Sequence, residues 1–268
     1  MLAQGRLMVE SKDDTPVAYA RTGSGPVMLL VHGAAASGLE WMAVLPALAE
    51  HFTTCVMQRR GRPPSGDHSS YCIEREVEDI GAVIAAIGEP VVLVAHSYGA
   101  LVAVQGMAAN ALKNISRAIL YEPPVFAGRN PKHIPALQQA KQAWAAGDRD
   151  LVTELFLATV FSPERARAIR STGAWPGLVL TANTIPREME TAGSFKDRAA
   201  EIGAGLRNCA VPTTMLLGSE SPAHIRDGTA FIRESLPDCH TLILNGQGHV
   251  ANVQAPALFA EKVIEAAR

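Results

Sequence analysis

The chain has 268 residues, which fits one α/β domain or one such domain carrying an inserted subdomain. Hydrophobic residues make up 48% of it, enough for a sizeable core, and a formal net charge of −2 leaves no basic surplus to hold a polyanion, which argues against nucleic acid as a partner. No apolar run approaches the roughly 18 residues a membrane helix needs, and the opening MLAQGRLMVESKDD lacks a basic head followed by an apolar stretch, so neither a membrane span nor a secretory signal is expected.

In chain order, Arg6–Glu10 and Val17–Thr22 read as a hairpin about the polar turn SKDDT. Val27–Val31 is a continuous apolar run before Gly33, and Thr53–Gln58 is a further strand. Cys72–Ile87 has helical spacing and stops at Gly88. Val91–Ala95 is a wholly apolar strand, and Ala100–Leu112 after it is helical. The strand Ala118–Tyr121 is stopped by Pro123 and Pro124. The alternation then breaks. Helical stretches follow at Lys132–Ala146, Asp148–Phe161, Glu164–Thr172, Arg187–Ala192 and Phe195–Leu206, with one short strand signal at Leu178–Leu180. Strands return at Thr213–Leu217 and Thr241–Leu244, and Pro256–Ala267 is a closing helix. Continuous apolar strands alternating with helices imply an α/β fold, with a mostly parallel sheet of about eight strands covered on both faces. Residues 124–206 are expected as a helical cap inserted between core segments 1–123 and 207–268. The four cysteines, Cys55, Cys72, Cys209 and Cys239, form no CxxC pair and no metal-ligand spacing; they read as free thiols of a reducing cytoplasm.

The chemistry-bearing residues all follow strands, where ligands sit in such sheets. In AHSYGA the strand VVLVA runs into Ser97 and then into a helix. A serine alcohol is a weak nucleophile unless exposed beside a base, and a sharp strand-to-helix turn exposes it. That turn wants small residues on either side, here Gly99 and Ala95. In VHGAAASGLEW, the flexible His32–Gly33 turn and the helix N-terminus after Ser97 place the backbone amides of Ala34 and Tyr98 as donors to an oxyanion hole. No Gly-rich phosphate or dinucleotide cradle is present, so no cofactor is expected. His249 lies in a Gly-flanked loop just past TLIL, where it can reach the serine as a base. The other histidines, His51, His68, His133, His224 and His240 among them, lack that context. A carboxylate must fix the imidazole tautomer, and two strand ends supply one: Glu122 after AILY, and Glu220 in GSESP.

Together these segments resemble the α/β-hydrolase superfamily over essentially the whole chain, in the chain order serine, acid, histidine. HGAAASGLEW resembles its oxyanion loop, AHSYG its nucleophile elbow with Ala95 in place of a glycine, and GQGH its histidine loop. QRRGRPPSG resembles its D-x-R-G-x-G-x-S stretch through Arg60, Gly61 and Ser65, with Gln58 and Pro63 as departures. The family's usual acid position, G-x-x-D after the seventh strand, falls on Ser221, with Glu220 one residue early. Some members, certain haloalkane dehalogenases included, place the acid after the sixth strand, where Glu122 stands. The resemblance implies a cofactor-free serine hydrolase, most simply a carboxylesterase or lactonase, working as monomer or homodimer on a small ester. Thioesterase, amidase or perhydrolase chemistry would use the same groups. A cofactor-free lyase or oxygenase, or a receptor that keeps the scaffold without catalysis, are the alternatives. Trp144, Phe156, Phe161, Trp175 and Met189 are candidates for the pocket, although their helical spacing suits packing equally.

Overall fold

The computed structural model describes residues 6–125, 129–130 and 132–268. The first five residues of the segment read for a secretory signal, and positions 126–128 and 131 of the expected insertion, lie outside the described residues.

Strands form along runs rich in aliphatic and β-branched residues. They are β1 (Arg6–Glu10), β2 (Pro16–Thr22), β3 (Val27–Val31), β4 (Thr53–Gln58), β5 (Val91–His96), β6 (Ile115–Tyr121), β7 (Thr213–Gly218) and β8 (Cys239–Leu244). One sheet takes them in the order β1-β2-β4-β3-β5-β6-β7-β8. The hairpin strands run antiparallel, and every pairing from β4 to β8 is parallel. Every residue of β3 and β5 is buried, which is why neither alternates. The chain steps outward from β3 to β4 and then returns across β3 to β5. This reversal leaves a crevice between the carboxyl ends of β3 and β5, where Val31 pairs with Ala95.

Helices cover both faces. In chain order they are α1 (Leu45–Ala49), α2 (Ile73–Ile87), α3 (Ser97–Ala108), α4 (His133–Ala145), α5 (Arg149–Val160), α6 (Pro163–Arg170), α7 (Trp175–Val179), α8 (Ile185–Leu206), α9 (Ala223–Ser235), α10 (Ala251–Gln254) and α11 (Pro256–Ala266). Leu29, Val31, Leu93 and Leu120 pack with α2, α3 and the second half of α8 on one face. Met28, Leu30, Val94 and Ile119 pack with Trp41, α1 and α11 on the other. The third helix begins at Ser97 itself, earlier than its hydrophobic spacing suggests. It ends at Ala108, before Asn110 turns left-handed at φ 51°.

The segment between β6 and β7 is helical, with two departures from the reading above. Leu178–Leu180 is no strand: Pro176 opens the short α7 and the Leu178 amide bonds the Ala174 carbonyl at 3.2 Å. The stretches Arg187–Ala192 and Phe195–Leu206 are one helix, α8, because Gly193 continues the helix where a Cβ would stand 2.9 Å from His133 Nε2. Its first half packs with α4 and α5, and its second half belongs to the core. Among the described residues no helix is long and apolar enough to cross a membrane.

Candidate active site

At the end of β5 the chain turns so sharply into α3 that Ser97 takes φ 51°, a left-handed conformation that a serine adopts only under constraint. The constraint is crowding. A Cβ at Gly99 would sit 2.5 Å from the His32 carbonyl oxygen, and one at Gly33 would sit 3.1 Å from the Ser97 Cβ. Ala95, two residues before Ser97, is fully buried.

His249 Nε2 lies 2.9 Å from Ser97 Oγ, and His249 Nδ1 lies 2.7 Å from Glu122 Oε2. With Nδ1–H donating to the carboxylate, Nε2 presents its lone pair to the serine hydroxyl. Glu122 is wholly buried, and its other oxygen accepts the Gly218 amide at 2.7 Å and the Ser221 hydroxyl. Burial raises the Glu122 pKa, but the hydrogen bonds from His249, Ser221 and Gly218 outweigh it, and the carboxyl titrates below its ordinary range. Glu220 is exposed on the far side of the turn, where its amide bonds the Gln247 carbonyl at 2.9 Å. Of the two candidate glutamates, Glu122 is the one brought to His249.

The loop that carries His249 is held from below by residues the motifs do not single out. The Tyr121 hydroxyl donates to the Gly248 carbonyl and accepts the Ala251 amide at 2.9 Å. His96 stacks on Tyr121, with centroids 4.9 Å apart, and its Nε2 donates to the His249 carbonyl at 2.8 Å. Glu40 Oε1 stands 3.2 Å from both His96 Nδ1 and the Gly33 amide. Burial lowers the His96 pKa, yet the Glu40 charge and hydrogen bond more than offset it, and the net shift is upward. Tyr121 and Glu40 each adjoin a residue the patterns do mark, Glu122 and Trp41; that adjacency is the only sequence signal for them.

Ala34 and Tyr98 line a cavity of about 80 Å³ together with Ser97 and His249. Tyr98 lies in the first turn of α3, where amides have no intrahelical acceptor. Pro124, Phe156, Met189, Ala192 and Ile225 form much of the remaining wall, joined by His133 and His224. Burial keeps the pKa of both histidines below the ordinary value. Of the aromatic candidates, only Phe156 reaches this cavity. Trp144, Phe161 and Trp175 lie at the surface of the helical segment, each under an arginine guanidinium. Among the described residues no group of three or more His, Cys, Asp or Glu side chains could hold a metal ion.

The alpha/beta hydrolase family pattern matches residues 28–262, and the chain belongs to that family. It is 24% identical to the pimeloyl-[acyl-carrier protein] methyl ester esterase of Aeromonas hydrophila, over 91% of this chain and 96% of that protein. It is 29% identical to the N-formylmaleamate deformylase of Pseudomonas putida over 47% of its length, and the match spans only 50% of that relative. Among solved structures, an alpha/beta hydrolase from Sphaerobacter thermophilus superposes with a TM-score of 0.85 at 29% identity, covering 98% of this chain and 100% of that one.

Proposed function

We propose that the protein hydrolyses a small carboxylic ester through an acyl-enzyme intermediate. Ser97 is the nucleophile, His249 the base, Glu122 the acid that orients it, and the Ala34 and Tyr98 amides are the oxyanion donors. The observation that carries this reading is the unbroken line Ser97 Oγ–His249–Glu122, with contacts of 2.9 and 2.7 Å, opening into one cavity.

His249 Nε2 takes the Ser97 proton as Oγ attacks the ester carbonyl. The carbonyl oxygen becomes an oxyanion and accepts from the two amides. Collapse expels the alkoxide, which His249 protonates, leaving acyl-Ser97. A water molecule then gives a proton to His249 and attacks the acyl carbon, and His249 returns that proton to Ser97. Glu122 keeps Nδ1 protonated and stabilises the imidazolium in both halves. Residues 124–206 act as a cap in this reading: Phe156 from α5 and Met189 and Ala192 from α8 line the same cavity as Ser97. The largely apolar wall and the small volume favour a short, uncharged acyl group, with lactones as a related substrate. The methyl ester esterase relative, matched over nearly its whole length, supports an ester over an amide.

Hydrolysis of p-nitrophenyl esters from acetate to octanoate by the parent and by Ser97→Ala tests this. The parent is expected to prefer the short esters, and the variant to lose activity by a factor of at least ~10⁴. A folded parent inert on every ester, or a Ser97→Ala protein that keeps its rate, would sink the proposal.

A further inference from the structure

Behind the two oxyanion amides lies a buried guanidinium. Arg59 leaves the end of β4, is 1% exposed, and has all five of its N–H groups engaged. Nε and Nη2 grip the Glu76 carboxylate at 2.6 and 2.7 Å, and Nη2 also reaches Glu188 on α8 at 2.7 Å. Nη1 donates to the Gly33 carbonyl at 2.9 Å and, more loosely, to that of His32 at 3.4 Å.

The Gly33 carbonyl belongs to the same peptide unit as the Ala34 amide. It also receives His32 Nδ1 at 2.9 Å. His32 Nε2 accepts the Arg59 backbone amide at 3.2 Å, so Nδ1 is the nitrogen that carries the proton. Two donors on one carbonyl, one of them cationic, draw electron density onto its oxygen and leave the amide hydrogen of that unit more positive. Tyr98, the residue of the second amide, is clamped by the same group. Its ring lies 4.7 Å from the guanidinium carbon. Its hydroxyl is 2.5 Å from that of Tyr71, which donates to Glu76 at 2.8 Å and therefore accepts from Tyr98.

The cluster is charge-balanced: Arg62 meets Glu188 at 2.6 Å, so two guanidinium groups face two carboxylates. The neighbouring Arg60 is just as buried, but its partners are Asp79, Asp13 and the Arg75 carbonyl, none of them on the oxyanion loop. Of the pair, Arg59 alone contacts the oxyanion loop, through the Gly33 and His32 carbonyls.

We infer that Arg59 is a positioning residue for the oxyanion site, holding and polarising the Gly33–Ala34 peptide while pinning Tyr98, so that both amides are oriented before substrate arrives. The inference rests on the acyl-transfer reading of Ser97 above. It predicts that losing Arg59 weakens tetrahedral, negatively charged states more than it weakens substrate binding.

Affinity for a short alkylboronic acid, which forms a tetrahedral adduct on a nucleophilic serine, is measured for the parent, Arg59→Lys and Arg60→Lys, beside kcat and KM on one p-nitrophenyl ester. Lysine keeps the charge but cannot span Glu76, Glu188 and Gly33 at once. In Arg59→Lys, kcat and boronate affinity are expected to fall together by roughly 10- to 100-fold, short of the 10²–10³ for deleting a donor, with KM within about threefold. Arg60→Lys is expected to stay within about threefold of the parent on both. Equal losses in the two variants, or a loss in KM alone, would overturn the inference while leaving the esterase reading intact. A parent that neither binds the boronate nor cleaves the ester would remove the acyl-transfer reading and this inference with it. Should Arg59→Lys fail to fold, the charge-balanced Arg59→Met/Glu188→Gln protein is read against Glu188→Gln alone, by the same criteria.

Discussion

The ends of β6 and β7 lie side by side, and each is followed by a glutamate, but the two are placed in opposite ways. After β6, Glu122 turns inward through a left-handed φ of 48° and is fully buried against His249. After β7, Glu220 turns outward into solvent, and Ser221 next to it is buried, with its hydroxyl on the Glu122 carboxylate. Ser221, at the acid position of the G-x-x-D pattern that the sequence resembles, thus donates to a carboxylate that arrives from the neighbouring strand. Ser221 adds its hydroxyl to two other donors, the Gly218 amide and His249, so that both oxygens of the buried carboxylate are hydrogen-bonded.

This contrast can be broken by substitution. The largest effect is expected for Glu122→Gln, in which turnover of an ester substrate should fall by ~10⁴ while circular dichroism stays that of the parent. Adding Ser221→Asp to that variant returns a carboxylate to the β7 end and is expected to recover at least about 10-fold of the lost rate, since it again offers His249 Nδ1 an acceptor. No recovery would mean that the β7 end cannot supply the acid in this backbone.

Ser221→Ala alone removes one charge-assisted hydrogen bond from Glu122 and should cost about 1.5–3 kcal/mol of stability by urea unfolding. It also shifts the acid limb. Glu122 titrates below its ordinary range when folded, so the stability it lends is complete above the ordinary glutamate value and is lost as pH falls through the lower, folded one. Losing the Ser221 bond raises that folded value. The acid-induced loss of stability in Ser221→Ala should therefore begin near the same ordinary glutamate value as in the parent but be smaller and level off at higher pH, read from urea midpoints across roughly pH 3 to 6. The smallest effect is expected for Glu220→Gln, whose turnover should stay within about twofold of the parent, as for an exposed side chain away from the chemistry.

Much of this arrangement is legible in the amino-acid sequence, because the elements involved are dictated locally. VMLLV and VVLVA admit no reading but buried strands, and a serine between such a strand and Gly99 marks the turn at Ser97. The choice between Glu122 and Glu220 is not local. Both follow strands, and what separates them is the left-handed Glu122 backbone and the inward face of the β7 turn, which depend on three-dimensional neighbours. The Arg59 cluster is hidden for a similar reason, since its partners Glu76 and Glu188 lie 17 and 129 residues away in separate helices. The one clue is three arginines within QRRGR, all of them buried, in a chain with only 19% charged residues. The glycine and serine at 193 and 194 suggest a helix break, but the helix runs through them, with glycine at the point where a side chain would meet His133.

That continuity makes α8 a single beam joining the core to the cavity wall. Its far half is built into the core: Ile202 and Leu206 are buried, and Gly205 crosses α3 so closely that a Cβ would stand 2.2 Å from the Ala108 carbonyl oxygen. Its near half overhangs the cavity with Glu188, Met189 and Ala192. Its near half is fixed as well, by packing on α4 and α5 and by Glu188 on Arg59 and Arg62, so its reach over the cavity is held from both sides. Side-chain exchange at 189 or 192 therefore resizes the chamber without shifting Ser97, which rides on the helix that the beam is anchored to. Lengthening or shortening α6 and α7, which hang from α5, leaves that span untouched, whereas one residue inserted between 193 and 205 rotates the overhanging face by about 100°, given 3.6 residues per turn, and repaints the chamber wall at a stroke.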